Sequence, residues 1–203
     1  MIDETRRPTE GAKISRRDYQ TRTPVEAARF FLGKHLLVRT PRGIAGGVIV
    51  ETEAYGGRED RACHGFNDRR TARTEVMFGP GGSAYVYLCY GLHWLLNFVT
   101  GPADSPEAVL IRGVKITEGK AWVARRRRGL PEKAWASGPG RVTAALGIGR
   151  RHNACDLTGE TIWVENRGLE VSARNVEATP RIGISYAGEW VHKPWRFVWN
   201  PPA

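Results

Sequence analysis

Short apolar runs broken by turn-forming residues dominate the chain, and strand-like segments outnumber helical ones. Thr23-Pro24-Val25-Glu26 reads as a helix start: Thr23 can cap, Pro24 suits the first turn and Glu26 completes a capping box. Gly33 ends that helix after Phe31 and Leu32. Residues 35–39 then predict a strand, Pro41-Arg42-Gly43 a turn, and residues 44–55 a second strand. Two apolar runs at 84–90 and 92–100 are separated only by Gly91, a hairpin pattern with Tyr90-Gly91 at its tip. Residues 108–114 read as another strand. Residues 117–128 and 137–146 predict helices, the first ending in four arginines before Gly129, the second opening on Ser137 as a cap. Strand-like pieces follow at 161–165, 181–185 and 196–199.

There is no internal repeat and no sign of a second domain. The expectation is a single α+β domain over residues 19–203, a mostly antiparallel β-sheet core with flanking helices. Residues 1–18 are polar and basic and read as a flexible N-terminal arm. The polar, glycine-bearing stretch 56–75 is long for a plain connection, and long loops in compact domains are often functional.

Composition narrows the class. Of the 203 residues, 41% are hydrophobic and seven are Trp, enough for a packed core. The formal net charge is +10 and the pI is about 10.0, which points to a polyanionic partner, nucleic acid first; a basic surface kept for solubility is the alternative. Cys63, Cys89 and Cys155 are odd in number and widely spaced, which suits reduced thiols and a cytoplasmic location. No apolar stretch approaches the roughly 18 residues of a membrane span, and the polar N-terminus is not a secretory signal.

Three constellations carry candidate chemistry. In Val50-Glu51-Thr52-Glu53-Ala54-Tyr55 the two carboxylates and the tyrosine fall on one strand face, which invites acid–base work; an exposed strand face is equally consistent, and spacing does not say which Glu acts. In Tyr85-Val86-Tyr87-Leu88-Cys89-Tyr90, Tyr85 and Tyr87 share a face and Tyr90 stands at the hairpin tip, where it has little to pack against. On pattern alone ordinary strand packing is the favoured account of the first two. Arg69, Arg70 and Arg73 in the long loop, and Arg125 to Arg128, are candidate phosphate contacts or a solvated charged face. Neither His152-x-x-Cys155 nor Cys63-His64 makes a metal-ligand set, and there is no P-loop or G-x-G-x-x-G, so no metal and no cofactor are expected.

Five ordered blocks together resemble the alkyladenine (3-methyladenine) DNA glycosylase family: VETEAYGGREDRACHG at 50–65, MFGPGGSAYVYLCYGLHWLLNF at 77–98, AVLIRGV at 108–114, SGPGRVTAALGI at 137–148 and RIGISYAGEWVHKPWRF at 181–197. The similarity runs from about Tyr19 to the C-terminus. It implies that Glu53 is the general base that activates water, and that Arg112 helps hold that water and the carboxylate. The backbone carbonyl of Ile182 is implied as a further water contact. Tyr55, His64 and Tyr87 match residues that sandwich a flipped base, Asn97 the pocket residue that disfavours the amine of guanine, and Tyr90 the side chain that enters the duplex. Ala72 and Leu95 depart from the Pro and Cys common in the family, beside the matched positions.

The resemblance thus implies a monofunctional, monomeric DNA glycosylase acting on double-stranded DNA that contains alkylated or deaminated purines, in base excision repair, with no membrane partner. A non-catalytic nucleic-acid binding module, with Glu53 merely structural, is the rival from another class.

Overall fold

The computed structural model describes residues 11–200. Among the described residues nine strands form one sheet, in which every pairing is antiparallel. They are β1 (Ala12–Lys13), β2 (His35–Thr40), β3 (Gly43–Tyr55), β4 (Ala84–Cys89), β5 (His93–Thr100), β6 (Glu107–Glu118), β7 (Ile162–Asn166), β8 (Val176–Thr179) and β9 (Arg196–Trp199). Their spatial order is β1-β7-β2-β3-β6-β5-β4, with β9 beside the second half of β3 and β8 beside β9. The helices are α1 (Arg16–Gln20), α2 (Pro24–Phe31), α3 (Lys120–Arg126) and α4 (Pro139–Leu146). The architecture is α+β.

Local chemistry explains the elements read correctly from the sequence. At the start of α2 the Thr23 hydroxyl accepts from the Glu26 backbone N–H (3.3 Å), and the Glu26 carboxylate accepts from the Thr23 N–H (2.9 Å). Helix α2 buries Ala27, Ala28 and Phe31, and the Thr52 hydroxyl of β3 donates to the Ala28 carbonyl at 2.8 Å. Phe31 meets Tyr19 and Phe98 at centroid distances of 5.3 and 5.0 Å. Each fully buried ring of this kind contributes about 1.5–3 kcal/mol of apolar burial. At the β4–β5 tip, Tyr90 (φ 50°) and Gly91 (φ 70°) are both left-handed, the twist that a tight hairpin requires.

Four expectations change. Of the arm expected at 1–18, residues 1–10 lie outside the described residues, whereas β1 pairs with β7 and α1 is helical, so regular structure begins before Tyr19. Residues 117 and 118 belong to β6, not to a helix: Ile116 pairs with Gly47, Gly46 pairs with Glu118, and the chain turns into α3 only at left-handed Gly119. Ser137 does not cap α4; Gly138 holds that position, and Ser137 bridges to Gly113. Residues 181–185 are not a strand, because Arg181 turns inward and Ser185–His192 coils into 3₁₀ turns. Strands β1 and β8 were not anticipated; two and four residues are too short to show a period.

Alternation gives the sheet two different faces. Val86, Leu96, Phe98, Val109, Ile111 and Ala54 join the main core. Their neighbours Tyr85, Tyr87, Leu95, Asn97, Leu110 and Tyr55 point the other way and line a cavity of about 910 Å³. Register carries this face across four strands: Tyr85 pairs with Asn97, Asn97 with Leu110, and Leu110 with Glu53.

Candidate active site

Two bulges set the carboxylates. The register between β3 and β6 slips once between Ile49 and Glu51 and again between Glu51 and Thr52, leaving Val50 and then Arg112 without a direct partner. Bulges of this kind re-aim side chains. Here the Arg112 guanidinium meets both acids, with Nε donating to Glu51 Oε1 (2.9 Å) and Nη1 lying 3.3 Å from Glu53 Oε1. The two glutamates are not equivalent. Glu51 keeps 14% of its side chain exposed and is also gripped by Arg196 (Nε to Oε1, 2.6 Å), whereas the Glu53 side chain is 0% exposed.

Glu53 sits one side-chain layer behind the cavity wall. Tyr55, Arg112 and Ile182 line the cavity in front of it. Its Oε1 accepts from the Ile182 backbone N–H at 2.9 Å, and its Oε2 accepts from the Tyr55 hydroxyl at 2.8 Å. Burial, the largest influence, pushes the Glu53 carboxyl above the usual carboxylate range; Arg112, the Ile182 N–H, Tyr55 and Arg181 pull it back in part. Oε2 has one partner, so a carboxylate lone pair remains for a further donor. The group Ile182 presents to Glu53 is thus its N–H.

Asp60 and Arg181 are the site residues that sequence reasoning did not single out. Both side chains are 0% exposed, and Arg181 Nη1 and Nη2 meet the Asp60 carboxylate at 2.5 and 2.9 Å. Asp60 also accepts from the backbone of Gly56 (2.9 Å) and Ala62 (3.0 Å), which fixes the loop after β3. Arg181 donates to the Ala54 carbonyl (2.8 Å), between Glu53 and Tyr55, and lies 4.8 Å from the Tyr55 ring centroid and 5.2 Å from that of Trp195. One ion pair therefore ties the acid's strand, the aromatic loop and the segment presenting Ile182. The partners are 121 residues apart, and no local pattern announces them.

The aromatic wall is built from two elements. His64 and Tyr87 pack edge to face at 4.7 Å, and His64 Nδ1 is 2.9 Å from the Tyr85 hydroxyl. No planar ring fits between His64 and Tyr87; they form one wall. Desolvation, then the charges of Arg73 and Arg69, lower the His64 pKa to about 4, so its imidazole is neutral near pH 7. Asn97 is buried and donates from Nδ2 to the Tyr85 carbonyl at 3.2 Å. Cys63 is buried beside this wall and lines the cavity, and burial pushes its thiol up to about 12, so it is not a nucleophile.

At the rim, Tyr90 is 89% exposed and Leu92 beside it 76%. The three loop arginines divide. Arg70 is bound to Glu75 (2.7 Å) and Asp104 (3.1 Å) and braces the loop. Arg73 lies 4.8 Å from the Tyr87 ring centroid and lines the cavity, and Arg69 lines a smaller one of about 440 Å³ alongside. Among the described residues no Asp or Glu lines the main cavity, whereas Arg73, Arg112, Arg127 and Arg141 do. Among the described residues no cluster of three or more His, Cys, Asp or Glu is placed to hold a metal, and no helix is long and apolar enough to cross a membrane.

A basic cavity with aromatic walls and one buried, arginine-held carboxylate is the kind of site that acts on a base attached to nucleic acid. The particular family follows from comparison with known proteins: the model of the methylpurine-DNA glycosylases (MPG) matches residues 18–202, and the chain belongs to that family. It is thus a hydrolase of N-glycosyl bonds and a DNA-repair enzyme, which sets aside a non-catalytic binding module. Similar proteins bear the name "Putative 3-methyladenine DNA glycosylase". One from Chlamydia pneumoniae is 45% identical over 180 residues, covering 87% of this chain and 90% of that protein. One from Bacillus subtilis (strain 168) is 42% identical, covering 88% and 89%. A third, from Bdellovibrio bacteriovorus, is 42% identical, covering 84% and 86%.

Proposed function

We propose that this enzyme removes alkylated or deaminated purines, 3-methyladenine among them, from double-stranded DNA by flipping the nucleotide into the 910 Å³ cavity, where water activated by Glu53 cleaves the N-glycosyl bond. It acts as a monomer in the cytoplasm, within base excision repair. The observation that carries this reading is the Glu53 carboxylate, wholly buried and held by Arg112, Tyr55 and Ile182, the residues that separate it from a basic, aromatic cavity. A purely structural acid has no need of that setting.

The duplex hides the sugar–base bond, so extrusion comes first, at a cost of a few kcal/mol. Tyr90, projecting from the hairpin tip, fills the gap. The base lies across the joint His64–Tyr87 wall, with Tyr55 on its other side. A purine alkylated at N3 or N7 is cationic, and each good ring contact attracts it by about 0.5–2 kcal/mol more than a neutral base. Neutral His64 adds no repelling charge. Discrimination beyond that comes from the better leaving group and from Asn97, buried in the cavity lining, which would crowd the guanine amine. Cleavage passes through an oxocarbenium-like sugar, which the Glu53 carboxylate stabilises while it takes the proton of water. Among the described residues no lysine lines the cavity to form a Schiff base, which supports a monofunctional reaction.

Duplexes carrying single lesions, incubated with enzyme and then treated with alkali, test the scheme. Wild type leaves alkali-labile abasic sites, and Glu53→Gln leaves none while still binding the lesion duplex. Near-normal turnover by Glu53→Gln removes Glu53 from the mechanism.

A further inference from the structure

The cavity is longer than a base pocket needs to be. Past Tyr87, Tyr90 and His93 its lining continues to Arg127, Gly138, Gly140 and Arg141, at the end of α3 and the beginning of α4. The charges here differ from those of the arginines gripped inside the fold. Arg112, Arg167, Arg181 and Arg196 all lie against carboxylates. Arg126, Arg127 and Arg141 enter none of the ion pairs among the described residues.

Arg126 is nonetheless held in place: its Nε donates to the Ala144 carbonyl at 2.9 Å and its guanidinium lies 4.8 Å from the Trp122 ring centroid. Arg127 is not satisfied. Its Nε is buried with no hydrogen-bond partner, and burial together with the charges of Arg141 and Arg126 holds its guanidinium below its ordinary range. Like charges gathered on a cavity wall without a counter-ion cost free energy that an anion would return. The backbone beside them is bare, since Gly138 has open space where a side chain would stand. This end is also coupled to the reaction centre, because the Gly138 N–H donates to the Arg112 carbonyl at 2.8 Å and Ser137 bridges to Gly113.

We propose that Arg127 and Arg141 together grip one backbone phosphate of the DNA strand, anchoring it at the end of the cleft remote from Arg69 and Arg73. The inference rests on reading the cavity as the place where DNA is engaged. The chemistry recognised is a phosphate monoanion flanking the extruded nucleotide, approached by two guanidinium groups. Arg125 and Arg128, on the same arginine run, are exposed and face away from the cavity lining; they form the solvated part of that run.

The test is fluorescence anisotropy of a labelled lesion duplex and its undamaged match across a potassium chloride series. Wild type is compared with Arg127→Gln, Arg141→Gln, the double variant and Arg128→Gln, with melting curves confirming the fold; Arg141 is exposed, so its replacement leaves the core alone. Each phosphate contact adds about 0.9 to the log–log salt slope. Each single variant weakens binding but leaves one arginine on the shared phosphate, so its slope falls by less than about 0.9; the double variant loses about 0.9, and Arg128→Gln keeps the wild-type slope. A wild-type slope in the double variant overturns the proposal, as does an equal loss in Arg128→Gln. Competition by inorganic phosphate with unchanged duplex slopes also overturns it, in favour of a free-anion site. Base release by wild type is scored separately: its absence alongside the expected slope changes overturns the Glu53 mechanism and leaves the phosphate anchor standing.

Discussion

Replacing Asp60 with alanine removes the carboxylate from an ion pair whose two side chains are both 0% exposed. The Arg181 guanidinium is then left buried. Two of its three hydrogen-bonded contacts go with Asp60, its Nε already has no partner, and only the Ala54 carbonyl remains. Removing one member of a buried pair costs about 3–5 kcal/mol, mostly from the uncompensated charge. The Gly56 and Ala62 N–H groups lose their acceptor as well. For a chain of this size each kcal/mol lowers Tm by about 2–4 °C, so Asp60→Ala melts about 6–20 °C below wild type. Arg181→Met combined with Asp60→Leu replaces both charges with apolar groups of similar bulk, and such exchanges are often neutral or better. The double variant therefore recovers most of the lost Tm. Base release does not recover with it, because Arg181 also braces Tyr55 and leads the chain into Ile182 at Glu53. Calorimetric or circular-dichroism melting, paired with single-turnover base release, measures both effects. An Asp60→Ala melting point within about 3 °C of wild type refutes the argument, as does a double variant with full activity.

Glu53→Gln should melt at or above the wild-type temperature near neutral pH. Burial raises the Glu53 carboxyl, so the folded state favours its protonated form, and the stability this confers is lost as pH rises through the raised value. The difference therefore closes on acidification, and a lower Tm at neutral pH contradicts it. Arg112→Met removes the largest influence that pulls Glu53 down, so the acid limb of the single-turnover pH profile moves to higher pH; a limb that stays put or moves down separates it from Glu53. Tyr90→Gly leaves Tm unchanged or slightly higher, since the ring is 89% exposed and glycine adopts φ 50° freely, but it weakens binding to lesion duplexes. Equal weakening toward undamaged DNA denies Tyr90 its place in the flipped state.

Elements whose causes lie within a few residues were legible before any fold. The Thr23–Glu26 capping box with Pro24, the Tyr90-Gly91 tip and the alternation of β3 through β6 each rest on backbone preferences or on a two-residue period. The same period put Glu51, Glu53 and Tyr55 on one face but left the two acids equal. Their difference came from bulges at Val50 and Arg112, which depend on how β3 and β6 register over the whole sheet. Helix 117–128 was misjudged at its start because strand pairing across β3 outweighs helical preference at Thr117 and Glu118. Arg70 and Arg73 read alike along the chain; folding sets Glu75 and Asp104, the latter 34 residues away, against Arg70 as a loop brace and leaves Arg73 at the cavity. Asp60 and Arg181 each lay in a block that carries the family resemblance, but no role attached to either until folding buried them against each other. Order along the chain sets which side chains share a face, but burial, and with it which charge is paired and which is raised, exists only once distant segments exclude water together.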